Sequence, residues 1–243
     1  SGHDLNYISY AGILGLTARK GQTPTIPGVQ IADIGGGALY AAIGILIALM
    51  GVKQNGVGQY VDTSMLDGAV SWLPVLANDY FVKGVSPKAA ENILNGQNAC
   101  YEVYETADGR YISIGAIEPH LWANFCDAIG KEEFKLWQRD LTKQDEMFAC
   151  LREMFKSKTQ AEWIEKLTGV DCCWAPVKNL EEVFADPQVL ARDMVYEMTD
   201  PAGCYGSVKM IGSAVKLSET PARQELFPPR KGEHNAEYLK AVG

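Results

Sequence analysis

Tyr101-Glu102-Val103-Tyr104-Glu105-Thr106-Ala107-Asp108-Gly109-Arg110-Tyr111-Ile112-Ser113-Ile114-Gly115-Ala116-Ile117-Glu118-Pro119 carries the strongest fold information in the chain. Two runs rich in aromatic and β-branched residues, Tyr101–Thr106 and Arg110–Ala116, flank Ala107-Asp108-Gly109, a hairpin signal. Pro119 suits the first position of a helix. Leu121, Trp122, Phe125 and Ile129 then follow at helical spacing, and Gly130 is a natural stop. A hairpin feeding directly into an amphipathic helix predicts a compact α+β unit.

Downstream, Met147, Phe148, Leu151, Met154 and Phe155 mark a second amphipathic helix. Thr159 and Glu162 form a capping box for a third, which buries Trp163, Ile164 and Leu167 and ends at Gly169. Asp186-Pro187 opens a short helix. Val195–Thr199 and Val208–Leu217 read as strands around a turn at Pro201–Gly206. The tail from Thr220 is polar and proline-rich, with a final short helical pattern. Upstream, Lys83–Asn98 reads as a polar connector, and the character changes beyond it. Apolar residues near helical spacing run through Ser1–Thr17, and Lys20–Val29 is a loop. Ile31-Ala32-Asp33 then reaches Gly35-Gly36-Gly37 and an apolar run, Ala38–Met50, which predicts a buried helix entered through a glycine turn. Tyr60–Ser64 reads as a short strand and Met65–Leu76 as a helix. The expected division is 1–82, a helix-rich α/β piece; 83–100, a linker; 101–194, the small α+β unit; and 195–243, a return segment.

The chain has 243 residues, 47% hydrophobic and 21% charged, an ordinary globular composition that excludes disorder and collagen-like repeats. The formal charge of −8 makes it a poor sequence-independent binder of nucleic acid, because phosphates repel it. The run Ala38–Met50 falls short of the about 20 residues a bilayer span needs. No secretory signal is visible, so the reading is a cytoplasmic protein without a membrane partner. Six cysteines, none in a CxxC pair, read as reduced small hydrophobes and not as metal ligands.

Three histidines occur: His3, His120 and His234. His3 opens a helix beside Asp4; taken alone it is a terminal or capping residue. His120 and His234 read as solvated. Asp33 precedes three glycines and a helix, so it is either an N-cap or a carboxylate held where the bare backbone lets a ligand come close. Glu118 is open in the same way, as a helix-start carboxylate or a site residue at a strand tip.

In combination these residues gain a family context. Gly2-His3-Asp4-Leu5-Asn6-Tyr7 resembles the GHDxNY signature of α-methylacyl-CoA racemases, within the CaiB/BaiF (family III CoA-transferase) superfamily. Ala32-Asp33 with Gly35-Gly36-Gly37 resembles that family's ADxxGGG segment. Gly58-Gln59-Tyr60-Val61-Asp62 with Met65-Leu66-Asp67-Gly68 is similar to its GQxxD and MxxG stretch. Thr106-Ala107-Asp108-Gly109 and Gly115-Ala116-Ile117-Glu118-Pro119 resemble its TADG hairpin and GAIEP motif. Cys173-Trp174-Ala175-Pro176-Val177, Leu217-Ser218-Glu219-Thr220-Pro221 and Gly232-Glu233-His234 match later landmarks. The likeness covers essentially the whole chain, in order.

The resemblance implies the family III fold: α/β, with part of a Rossmann-like large domain and a small α+β domain. It implies catalysis by His3 and Asp33, with Glu118 as the partner of the histidine, and contact with the CoA thioester at Gly2, Asp4, Tyr7 and Ile117. The reaction implied is proton exchange at the α-carbon of a 2-methylacyl-CoA. One group removes the proton and the other returns one to the opposite face of a planar enolate. Coenzyme A is then part of the substrate, and no separate cofactor or metal is called for. A CoA-transferase would instead use Asp33 as nucleophile, and an inactive fragment needing a partner chain is the third reading. The family also implies an interlocked homodimer. A GGAPxY-like segment is expected before the hairpin; here it reads Gly96-Gln97-Asn98-Ala99-Cys100-Tyr101, which shifts substrate preference if that loop lines the acyl pocket. Relatives carry an N-terminal α/β segment before the signature. The expectation is therefore that this chain alone folds poorly or associates with a partner that supplies it.

Overall fold

The computed structural model describes residues 1–201, 203–222 and 226–242. Positions 202, 223–225 and 243, within the expected turn at 201–206 and the expected tail, lie outside the described residues. Two compact units form, Ser1–Val177 and Lys178–Gly243.

The first unit begins with α1 (Asp4–Tyr10), then a π-helical segment, Ile31–Ala38, that runs straight into α2 (Leu39–Asn55). Gly56, at φ 75°, ends α2 in the left-handed region that glycine tolerates. α3 (Met65–Val70) and α4 (Pro74–Lys83) replace the single helix expected over Met65–Leu76. Pro74 is the cause: it lacks the N–H to continue α3 but suits the first position of α4. The strand expected at Tyr60–Ser64 is absent. The segment lies on a helix and has no strand beside it: Val61 Cγ1 is 3.0 Å from where a Cβ on Gly44 would stand.

α2 departs further from expectation. It is apolar on every side, yet Ile43, Ile45, Leu46, Ile47, Leu49 and Met50 are all half or more exposed. The buried helix expected here is instead solvent-facing in this chain, with Ala48 its sole buried residue. The length reading changes too. Helix runs without a break through Ile31–Asn55, 25 residues, and by length and composition it is sufficient to cross a membrane.

The hairpin forms as read. β1 (Tyr101–Glu105) pairs antiparallel with β2 (Tyr111–Gly115), with Tyr101 opposite Gly115 and Glu105 opposite Tyr111. α5 (Pro119–Ile129), α6 (Phe134–Trp137), α7 (Gln144–Phe155) and α8 (Gln160–Leu167) follow. β3 (Trp174–Pro176) then adds to β2, giving the order β1-β2-β3. Alternation sends Tyr104, Ile112 and Ile114 into the core. There they meet Trp122, Phe125, Met147, Leu151, Phe155 and Trp163. Phe155 stacks on Tyr104 at 4.8 Å between ring centroids and tilts against Trp163 at 4.6 Å. The polar tips are all satisfied: Tyr104 donates to Ala99 O, Trp122 to Phe134 O and Trp163 to Phe155 O. Each such ring buries about 1.5–3 kcal/mol of apolar contact without stranding a donor.

The second unit holds α9 (Leu180–Ala185), α10 (Pro187–Ala191), the antiparallel pair β4 (Val195–Thr199) and β5 (Ser207–Ile211), and α11 (Asn235–Val242). Asp186 caps α10 through the amides of Gln188 and Val189 and pairs with Lys178.

Candidate functional site

His3 is the N-cap of α1, with its own amide donating to Asn6 Oδ1 at 3.0 Å. Asp4, the first helical residue, reaches across the unit. Its Oδ1 accepts the amide of Ala32 at 2.6 Å and that of Asp33 at 3.0 Å. Chain geometry through that bond puts the Cα atoms of His3 and Asp33 within about 12 Å of each other. The His3 and Asp33 side chains are both exposed. An imidazole and a carboxylate therefore stand in one neighbourhood, accessible to a ligand.

The glycines after Asp33 do a different job from the one expected. A Cβ on Gly36 would lie 2.8 Å from Met65 O, and one on Gly35 would lie 2.0 Å from the Trp72 ring. From the other side, a Cβ on Gly68 would lie 1.9 Å from Gly36 O. The bare backbone is thus consumed by α3 and Trp72, and the expectation that it leaves room for a ligand at Gly35–Gly37 is corrected. What the glycines achieve is a tight seat for the segment that carries Asp33. That segment is π-helical, a rare conformation frequent at functional sites.

Glu118 is the N-cap of α5, exposed and at the tip of β2. Its approach is held by a buried amide: Gln138 Nε2 donates to Ala116 O at 3.0 Å and Ile117 O at 2.9 Å, and Arg139 also donates to Ile117 O. No hydrogen bond or ion pair joins Glu118 to His3 or Asp33. Gly2 packs closely on Asn6 and the Tyr7 ring, so any Cβ there would sit 3.2 Å from Asn6 Cβ.

The segment from Gly96 to Tyr101 splits in two. Gly96 and Tyr101 edge a cavity of about 480 Å³ over the open face of the sheet, beside Ser113, Cys173 and Trp174. Ala99 and Cys100 are buried in the core, and Asn98 donates to Gln138 O. Two of the departures from the family pattern therefore serve packing and not a pocket. Sequence reading missed the Asp4 clamp, because an acid in the first turn of a helix looks like a dipole partner. Its real partners are 28 and 29 residues away. No group of three or more His, Cys, Asp or Glu able to hold a metal occurs among the described residues.

Comparison with known proteins agrees with this fold. Residues 1–235 match the family described as CoA-transferase family III. Alpha-methylacyl-CoA racemase of Mus musculus is 33% identical over 245 residues, covering 100% of this chain and 63% of that protein. Succinyl-CoA:glutarate CoA-transferase of Homo sapiens is 27% identical over 248 residues, covering 100% of this chain and 56% of that protein. A crystal structure of a CAIB/BAIF family protein from Brucella suis aligns with a TM-score of 0.80 at 25% identity, covering 100% of this chain and 63% of that one. The expected mixed helix-and-strand fold is borne out by that alignment. The chain spans less than two thirds of the length of these relatives.

Proposed function

This chain belongs to CoA-transferase family III, and from that premise we propose that it is a racemase acting on 2-methylacyl-CoA thioesters. The observation that carries the reading is the bond from Asp4 to the Asp33 amide, which ties the helix start bearing His3 to the segment bearing Asp33. Inversion at carbon needs two acid–base groups on opposite faces, and an imidazole and a carboxylate serve at neutral pH.

In the proposed reaction one of the pair takes the α-proton and the C–H electrons delocalise into the thioester as an enolate. The protonated partner then donates to the opposite face, and the roles exchange with the hand of the substrate. The amides of Asp4 and Leu5, which lack an intrahelical acceptor at the start of α1, are suited to receive the enolate oxygen; the Asn6 amide is already held by His3 O at 2.8 Å. Glu118, the histidine's partner by family resemblance, is assigned to orient the imidazole, and a homodimer is assigned on the same ground.

A second reading is favoured by one observation, the full-chain similarity to a CoA-transferase. There the Asp33 carboxylate would attack the thioester carbonyl and expel CoA thiolate, leaving a mixed anhydride.

Deuterium uptake from D2O at the α-carbon, followed with chiral analysis, separates the two. The expected result is uptake with inversion, with inversion reduced at least about 10²-fold in His3→Ala and in Asp33→Asn. CoA transfer to a free carboxylic acid without α-exchange would establish the transferase instead.

A further inference from the structure

We propose that Asp4 is a positioning residue, whose carboxylate sets the place of Asp33 relative to His3. The inference rests on the racemase reading and adds a residue to it. The resemblance puts Asp4 in contact with the thioester, but its Oδ1 is occupied by two backbone amides.

The argument begins with an uncapped helix start. The π-helical segment opens after Gln30, which has extended φ and ψ of −80° and 100° and makes no side-chain cap bond. The first amides of any helix lack intrahelical partners. Those of Ala32 and Asp33 find theirs in a carboxylate 28 and 29 residues away, at 2.6 and 3.0 Å. A negative charge at a helix start is also favoured by the backbone dipoles. Asp4 thus caps from a distance the segment that carries one proposed acid–base group, while its neighbour His3 is the other. His3 is itself fixed by Asn6. One residue therefore couples two backbones that nothing in the local sequence would register.

The consequence is asymmetric. Breaking the clamp frees Asp33 and leaves His3 in place, because the bond to Asn6 does not involve the Asp4 side chain. Proton exchange on the His3 face should then continue while return from the Asp33 face fails. A misplacement of about 1 Å is enough for a 10²-fold loss.

The test compares wild type, Asp4→Ala and Asp4→Asn in α-deuterium uptake and in inversion, with amide hydrogen exchange at Ala32 and Asp33 measured alongside. Asp4→Asn keeps Oδ1 and the side-chain volume, so it remains informative if Asp4→Ala does not fold. The expected results for Asp4→Ala are inversion down about 10²-fold, uptake on the His3 face within tenfold of wild type, and loss of protection at both amides. Asp4→Asn should restore inversion and protection to within a few-fold.

Uptake and inversion falling together in Asp4→Ala would overturn the proposal. So would Asp4→Asn losing inversion while its amides stay protected, or Asp33 exchanging as slowly in Asp4→Ala as in wild type. A wild-type chain inert in uptake but active in CoA transfer would sink the racemase reading and this role with it. The amide measurement would still decide whether the clamp exists.

Discussion

Cys172 is buried, and its thiol is pushed up to about 11, first by burial and then by the neighbouring Cys173 and Asp171. Burial pushes Cys126 further, to about 12. Cys173 is exposed instead, at φ 49° in the left-handed region. The reading of all six cysteines as small hydrophobes therefore holds for Cys100, Cys126 and Cys172, and for half-buried Cys150 packed against the core, and fails for Cys173 and Cys204, which face solvent. A thiol reacts as its thiolate, so brief alkylation at pH 8 should label Cys173 and leave Cys126 and Cys172 untouched until denaturant is added. Peptide mass spectrometry checks this, and Cys172 labelling as fast as Cys173 would contradict it. The sign for stability follows. The folded pKa values lie above the unfolded value of about 8.5. The stabilisation from burying neutral thiols is thus complete below that pH and is lost as pH rises through the folded values of about 11 and about 12.

The segment carrying Asp33 and α3 meet backbone to backbone at Gly36 and Gly68, and this contact decides what each element tolerates. Gly68→Ala would place a methyl 1.9 Å from Gly36 O. Neither backbone can yield cheaply, so a loss of at least about 1–3 kcal/mol is expected. Gly51→Ala, in α2 with open space around it, should stabilise by about 0.5–1 kcal/mol, since alanine is the better helix former. Urea unfolding of both variants checks the opposite signs. The same elements show what sequence could convey. The hairpin was legible because Ala107-Asp108-Gly109 turns locally, and α8 because Thr159 and Glu162 cap each other within one turn. Gly35-Gly36-Gly37 signalled close approach but not its object, since Met65 and Trp72 lie 28 and more residues on. Tyr60–Ser64 has real strand propensity, and propensity without a partner strand makes no sheet. For the site, His3, Asp33 and Glu118 could be nominated through family likeness alone. The bonds of Asp4 and Gln138, which hold two of those places, are tertiary and left no local trace.

At the scale of the chain, a helix of 17 residues that is apolar on every side up to Lys53 lies largely in solvent, where such a helix ordinarily sits in a core or a bilayer. Exposed apolar area of this kind drives association. The chain by itself should sediment as larger species at micromolar concentration, and the double substitution Leu46→Glu and Met50→Lys should return it toward monomer. Wild type sedimenting as a monomer would refute this. The helix and the Asp33 segment form one continuous helical run, Ile31–Asn55. Trp72 gives a way to watch them. Its indole rests where Gly35 has no side chain, two residues past Asp33, and it is 46% exposed, whereas Trp122 and Trp163 are sealed in the core. Selective quenching by iodide therefore isolates the emission of the more exposed indoles, and subtracting a Trp72→Phe control assigns the part that comes from this ring. The molecule thus carries its own optical gauge of how the Asp33 backbone settles, readable before any product is made.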